Sequence, residues 1–293
     1  MSDATRRPGA CGPFIAALFA CAALGGCGDA STGSVPGLVA LPRALREVSG
    51  IAVLDAATLA CVQDEVGSIF LVDVATGAVR GTLPFAGRGD WEGIARVPDG
   101  WWILRSDGEL TEYRERRDAK SRVELERVAR VVLDLPHDEF EGLAADLAHG
   151  RLLVAAKDRP RGDKSERDRR RVWAVDLATR ALQREPVLEL DVGTLRDELE
   201  ALEGRTDRKR RPGLGLLVSE LAVDAARDEV LLLSAADRIL LRCDRRGRLR
   251  GFHRFDETVL PQPEGVAVLP DGRVVVASEG VAGPARLLVI DAR

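Results

Sequence analysis

Asparagine is missing altogether from the 293 residues, so no side-chain amide of that length can ligate a metal or orient a substrate. Positive charge is not in excess: the formal net charge is −4. Arginine is interleaved with aspartate and glutamate, which argues against the basic stripe of a nucleic-acid binder. No apolar run reaches the roughly 20 residues of a membrane helix. No cysteine–histidine group has zinc spacing. There is no Gly-x-Ser-x-Gly, and His137, His149 and His253 have no partner at nucleophile–base spacing. Nothing therefore supports a Ser/His or Cys/His hydrolase.

What the chain has instead is a repeat. Ser49-Gly50-Ile51-Ala52, Glu92-Gly93-Ile94-Ala95, Glu141-Gly142-Leu143-Ala144 and Glu264-Gly265-Val266-Ala267 are strong copies. Ser219-Glu220-Leu221-Ala222 is a weaker one, with Glu220 where the others have glycine. Each copy opens a short apolar run that is followed by a turn, as at Pro98-Asp99-Gly100 and Pro270-Asp271-Gly272, and by a second apolar run. A unit of four short strands recurring at about 40 to 50 residues is the signature of a propeller blade. Five copies predict an all-β, five-bladed β-propeller in a single domain, residues 38–293. Blade five has only Arg273–Ala277 and Ala285–Asp291 after its first strand. Leu38–Leu45 is the expected fourth strand, which closes the ring and removes a free edge. Residues 191–218 fall outside the repeat: Leu195, Leu199 and Leu202 share one helix face, and Arg205–Arg211 is a basic loop. The charged runs Arg114–Arg122 and Arg159–Arg171 also read as loops.

The N-terminus carries targeting signals. Arg6 and Arg7 precede an apolar stretch, Phe14–Leu24, and Leu24-Gly25-Gly26-Cys27 matches the pattern at which bacterial lipoprotein precursors are cleaved and acylated. Residues 1–27 are thus expected to be a signal segment with lipid on Cys27, and 28–37 a flexible tether. The protein would face the periplasm as a membrane-anchored monomer. Cys61 and Cys243 fall in blades one and four, which are not neighbours. A bridge needs Cα atoms within about 7 Å, so both are expected to be buried free thiols.

In a propeller the starts of the innermost strands and the loops between second and third strands open on one face. That topology directs Glu47, Asp90, Glu92, Glu141, Glu220 and Glu264 from the first set towards one funnel. Asp64, Glu65, Asp107, Glu109, Asp158, Asp237 and Glu279 come from the second. Two readings stay open. A hard divalent cation, calcium, relieves the mutual repulsion of so many carboxylates; or the Glu-Gly pairs are structural, with glutamate accepting backbone bonds and glycine permitting close approach. Lys157, at a second-strand exit, would meet an anionic ligand or pair with Asp158 or a neighbouring glutamate. Trp91 offers a stacking face or, more simply, packs between blades.

Glu47-Val48-Ser49-Gly50-Ile51-Ala52, Gly89-Asp90-Trp91-Glu92-Gly93, Phe140-Glu141-Gly142-Leu143, Val154-Ala155-Ala156-Lys157-Asp158, Leu233-Ser234-Ala235-Ala236-Asp237-Arg238 and Gln262-Pro263-Glu264-Gly265 resemble the SdiA-regulated (YjiK-like) bacterial proteins, in order from about residue 38 to the end. The resemblance implies a five-bladed propeller, exported or membrane-attached, with a calcium site falling on Glu92, Glu141 and Glu264 first, then Glu47 and Glu220. It leaves the ligand open: a protein or a small anionic molecule at the funnel, touching Asp64, Asp107, Lys157, Asp237 or Glu279. The rival is a calcium-dependent lactonase or a phytase-like phosphoesterase. Gluconolactonase-type propellers use asparagine beside their metal, and this chain has none.

Overall fold

The computed structural model describes residues 35–158, 166–204 and 213–291. The signal segment, Cys27, most of the tether, part of the arginine-rich run 159–171 and all of the basic loop 205–211 lie outside them. Among the described residues no helix is long and apolar enough to cross a membrane.

Twenty strands form five separate four-stranded antiparallel sheets. Four are up-and-down meanders taken in chain order: Val48–Arg88, Trp91–Val132, Phe140–Asp191 and Glu220–Arg254. The fifth combines Pro263–Val268, Val274–Ser278 and Arg286–Ile290 with Leu38–Ala40 from the other end of the chain, outermost in the sheet. Closure by the N-terminal strand is therefore as expected, but the strand is only three residues long. Leu38, Val39 and Ala40 pair with Leu288, Leu287 and Arg286. Pro42 lacks the N–H that would continue the ladder, and Arg43–Leu45 turns into a 3-10 helix that buries Leu45. Just before that strand the Gly37 carbonyl accepts a bond from Val289 N, 3.1 Å.

The first strand of each sheet contacts the first strand of its neighbours around a closed ring. The repeat motif explains why. Five apolar clusters fill the gaps between blades, and each joins the alanine of one copy to the large residue of the next. Ala52 meets Ile94, Ala95 meets Leu143, Ala144 meets Leu221, Ala222 meets Val266, and Ala267 meets Ile51. Neighbouring side chains on a strand point to opposite faces, so Ile-Ala serves one interblade core with each residue. The glycine before them is where inner strands approach most closely. A Cβ on Gly93 would lie 2.7 Å from Leu143 Cβ, and one on Gly50 2.7 Å from the Glu92 carbonyl.

Three local expectations change. The strand Glu109–Arg117 extends through much of the charged run thought to be loop, paired with Val123–Val132. Arg114–Arg117 are all exposed, so no apolar alternation marks this part of the strand, and pairs such as Arg116–Glu126 at 3.1 Å decorate it instead. The strand Arg169–Asp176 likewise begins inside a presumed loop. The helix Val192–Glu203 is present, N-capped by Asp191, whose carboxylate accepts from Thr194 N at 2.8 Å, and stopped by left-handed Gly204. Its buried face is Val192, Leu195 and Leu199, while Leu202 is exposed. Cys61 and Cys243 are buried free thiols, as expected.

Candidate functional site

On blades two, three and five the inner strand carries a bulge at its glutamate. Trp91 pairs with Arg105 and Gly93 with Leu104, which skips Glu92. Phe140 and Gly142 bracket Glu141 in the same way, and Pro263 and Gly265 bracket Glu264. A bulge frees one residue from the ladder and re-aims its side chain. The result is three glutamates, one from each of three blades, coupled electrostatically to one another at the head of the channel. In blades one and four the corresponding residues are buried serines, Ser49 and Ser219.

This is a strongly perturbed group. Burial, followed by the charges of Glu141, Asp90 and Glu264, pushes the Glu92 carboxyl up to about 9. Burial and then Glu141 push Glu264 up to about 8, despite a 3.0 Å bond from Gln262 Nε2. Burial raises Glu279 to about 7, with help from Asp64, Glu47 and Glu141. Burial also raises Asp64, reinforced by Glu47. Glu141 is raised by burial even though Lys157 opposes this. Lys157 is the ammonium these carboxylates feel: its Nζ lies 2.5 Å from Glu141 Oε1 and 3.3 Å from Glu139 Oε2. Burial alone would lower the Lys157 pKa, but the two glutamates more than offset it. A cavity of about 250 Å³ is lined by the inner strands of all five blades, at Ile51–Val53, Ile94–Arg96, Leu143–Ala145, Leu221–Val223 and Val266–Val268.

The remaining candidates scatter. Glu220, on a strand without a bulge, is fully buried, and its Oε1 accepts from Leu143 N at 2.7 Å and Leu221 N at 2.9 Å. It is a brace between blades three and four, with Oε2 buried and unpartnered and its pKa well above the usual range through burial. Glu47 is exposed and contributes charge to Asp64 and Glu279. Asp107 is tied to Arg105 at 2.7 Å on the surface. Asp237 accepts from Gly215 N, Leu216 N and Ser234 Oγ at 3.0, 2.8 and 2.7 Å, fastening the end of the 191–218 segment. Asp158 pairs with Arg170, not with Lys157. Trp91 packs edge-on against Phe85 at 5.0 Å in an interblade core.

One buried residue was hidden in a charge run. Arg170 Nε and NH2 donate to the Leu216 and Gly215 carbonyls, both 2.7 Å, clamping from the other side the segment Asp237 holds. No sequence signal separated it from the exposed arginines around it. Far from the funnel, Asp146 is a second buried anion: it binds His149 and Arg151 at 2.9 Å, and Arg245 of blade four with two 3.2 Å bonds.

The sequence model of the SdiA-regulated family matches residues 40–285, and the chain belongs to that family. Among curated proteins none matches. Solved propellers resemble it in shape. The glutaminyl cyclase of Myxococcus xanthus is 14% identical with a TM-score of 0.52, covering 87% of this chain and 98% of that one. The virginiamycin B lyase from Staphylococcus aureus is 11% identical with a TM-score of 0.42, covering 87% of this chain and 73% of its own. At 14% identity the likeness to the cyclase is one of fold.

Proposed function

With membership of the SdiA-regulated family as the premise, we propose that the chain is a binding module, lipid-anchored through Cys27 and facing the periplasm, whose funnel holds a calcium ion among Glu92, Glu141 and Glu264. The observation that carries this reading is that a bulge which blade one shares at Ser49-Gly50 holds a glutamate on three blades. It costs three ladder positions and gathers carboxyls that burial and mutual repulsion hold at about 9 and about 8 for Glu92 and Glu264. Structural glutamates would be satisfied by backbone donors, as Glu220 is; Glu92 and Glu264 instead feel the charge of Glu141 and of each other. Among the described residues no three acidic side chains already stand as a metal-holding group, so the support is chemical. The donors are oxygen only, anionic and in excess over the one neighbouring ammonium, which suits a hard cation. Bound calcium would neutralise the ring and offer a positive docking point. Glu92 and Glu264 would hold it, and Lys157 would keep Glu141 ionised and oriented.

Calcium binding to the native state alone raises stability by RT ln(1 + [L]/Kd), about 2.7 kcal/mol at a hundredfold excess over Kd. The melting temperature should therefore rise with calcium and fall with chelator. A protein indifferent to both would refute the metal reading. For the anchor, Cys27→Ser should leave an unlipidated precursor, and wild-type processing and fractionation of that variant would refute it.

A further inference from the structure

Beside the glutamate ring, where blades four and five meet, a cavity of about 350 Å³ opens at the funnel face. A second, of about 460 Å³, continues outwards and shares Arg238, Pro261 and Gln262 with the first. Ligand sites of single small molecules begin at about 300 Å³ and are mostly apolar, with a few polar groups that fix orientation. The inner cavity joins an apolar part, Leu217, Ala235, Ala236 and Pro261, to polar and charged groups of both signs: Glu141, Glu264, Lys157, Arg238, Ser219 and Gln262.

Glu264, Glu141 and Lys157 line the inner end, two carboxyls against one ammonium. Each carboxyl has one recorded side-chain donor, Gln262 Nε2 on Glu264 and Lys157 Nζ on Glu141. A carboxylate has about four acceptor positions, so this end asks for further donors. The outer end is Arg238, whose guanidinium borders both cavities. Its partner is Glu257, 3.3 Å away and itself 70% exposed. An exposed pair of that kind contributes about 0–1 kcal/mol, so another carboxylate can displace it. The backbone at Arg238 is fixed by a bond from its N–H to Ala235 O at 3.1 Å and one to its carbonyl from Phe255 N at 2.8 Å. A purely anionic ligand would meet the glutamates, and a purely cationic one would leave Arg238 unused.

We propose that this cavity binds a small zwitterion, an amino acid or short peptide with a free ammonium and a free carboxylate. Glu264 and Glu141 hold the ammonium, Arg238 holds the carboxylate, and Pro261 and Ala236 flank the body. The proposal rests on reading the funnel as a binding face and does not require calcium. Because Glu264 belongs to both sites, calcium and the zwitterion's ammonium compete for it.

The test is titration calorimetry of the full chain with glycine, glycylglycine and triglycine, a series that varies the distance between the two charges, in chelator and then in calcium. At least one should bind at millimolar concentration or tighter in chelator, and more weakly once calcium is added. For that member, acetylating the amine or amidating the carboxylate should each weaken binding at least tenfold. Arg238→Gln should melt as wild type does yet bind the acid and its amide alike, and Glu264→Gln should bind the free and acetylated amines alike. Absence of binding by all three, or equal binding of acid and amide by the wild type, overturns the proposal. If calcium raises the melting temperature while no peptide binds, only this inference falls. If a peptide binds while calcium does nothing, only the metal reading falls.

Discussion

Glu92→Gln separates a ring of loaded carboxyls from mere blade architecture by the sign of a pH effect. In the folded, metal-free protein Glu92 keeps its proton up to about 9, against an ordinary 4.5. Between those values the folded state binds a proton that the unfolded chain has released, so stability is highest at acid pH and is lost as pH rises. One proton corresponds to about 1.4 kcal/mol per pH unit. Glu92 shares its titration with Glu141 and Glu264, which spreads the effect; about 1–3 kcal/mol between about pH 6 and about pH 8 is the expected loss. Glutamine has the same shape and no charge to bury. In chelator, urea denaturation of wild type and variant should coincide near about pH 5 and diverge as pH rises, with the variant the more stable at about pH 8. In calcium the order should reverse at that pH, because the variant has lost an anionic ligand. Parallel pH curves in chelator, or a variant less stable than wild type at high pH, would refute the reasoning. The second result would mean that ionised Glu92 accepts strong bonds from its surroundings.

Two further tests probe the frame. A chain beginning at Arg46 loses the Leu38–Ala40 strand and the buried Leu41 and Leu45; at about 1.5–3 kcal/mol for each buried leucine it should be destabilised by about 4 kcal/mol or more, and melting with the intact domain would show that ring closure lies elsewhere. Asp146→Asn should cost about 3 kcal/mol at neutral pH, since Arg151 and Arg245 lose a buried anion that joins blades three and four. The bonds from His149, Arg151 and Arg245 hold the Asp146 carboxyl below its usual range against the opposing effect of burial. Its contribution is therefore present above the ordinary carboxylate range and lost as pH falls through it, so the two stability curves should converge in acid.

The sequence by itself determined the blade count, the order of the sheets and the route by which the ring closes. The reason is local and periodic: Gly-Ile-Ala must recur because glycine lets inner strands touch, and the two following residues feed the two cores that every blade shares with its neighbours. The residue pattern alone left Glu92, Glu141 and Glu264 among many acids, and only the family resemblance put them first. Tertiary structure decided which acids matter together. Glu220 stands one position later in its motif than Glu141, in the place of the glycine; a bulge lifts Glu141 out of its ladder while Glu220 stays in register and braces a neighbouring strand. Asp237 looked like a funnel ligand and is a backbone clamp; Arg170 looked like solvated surface and clamps the same segment from the opposite side. A charged residue's role depends on what lies across the gap between blades, often dozens of residues away in sequence, and no local pattern encodes that partner. The cavity between blades four and five arises in the same way, since Arg238 and Glu264 come to opposite ends of one space only when two sheets meet.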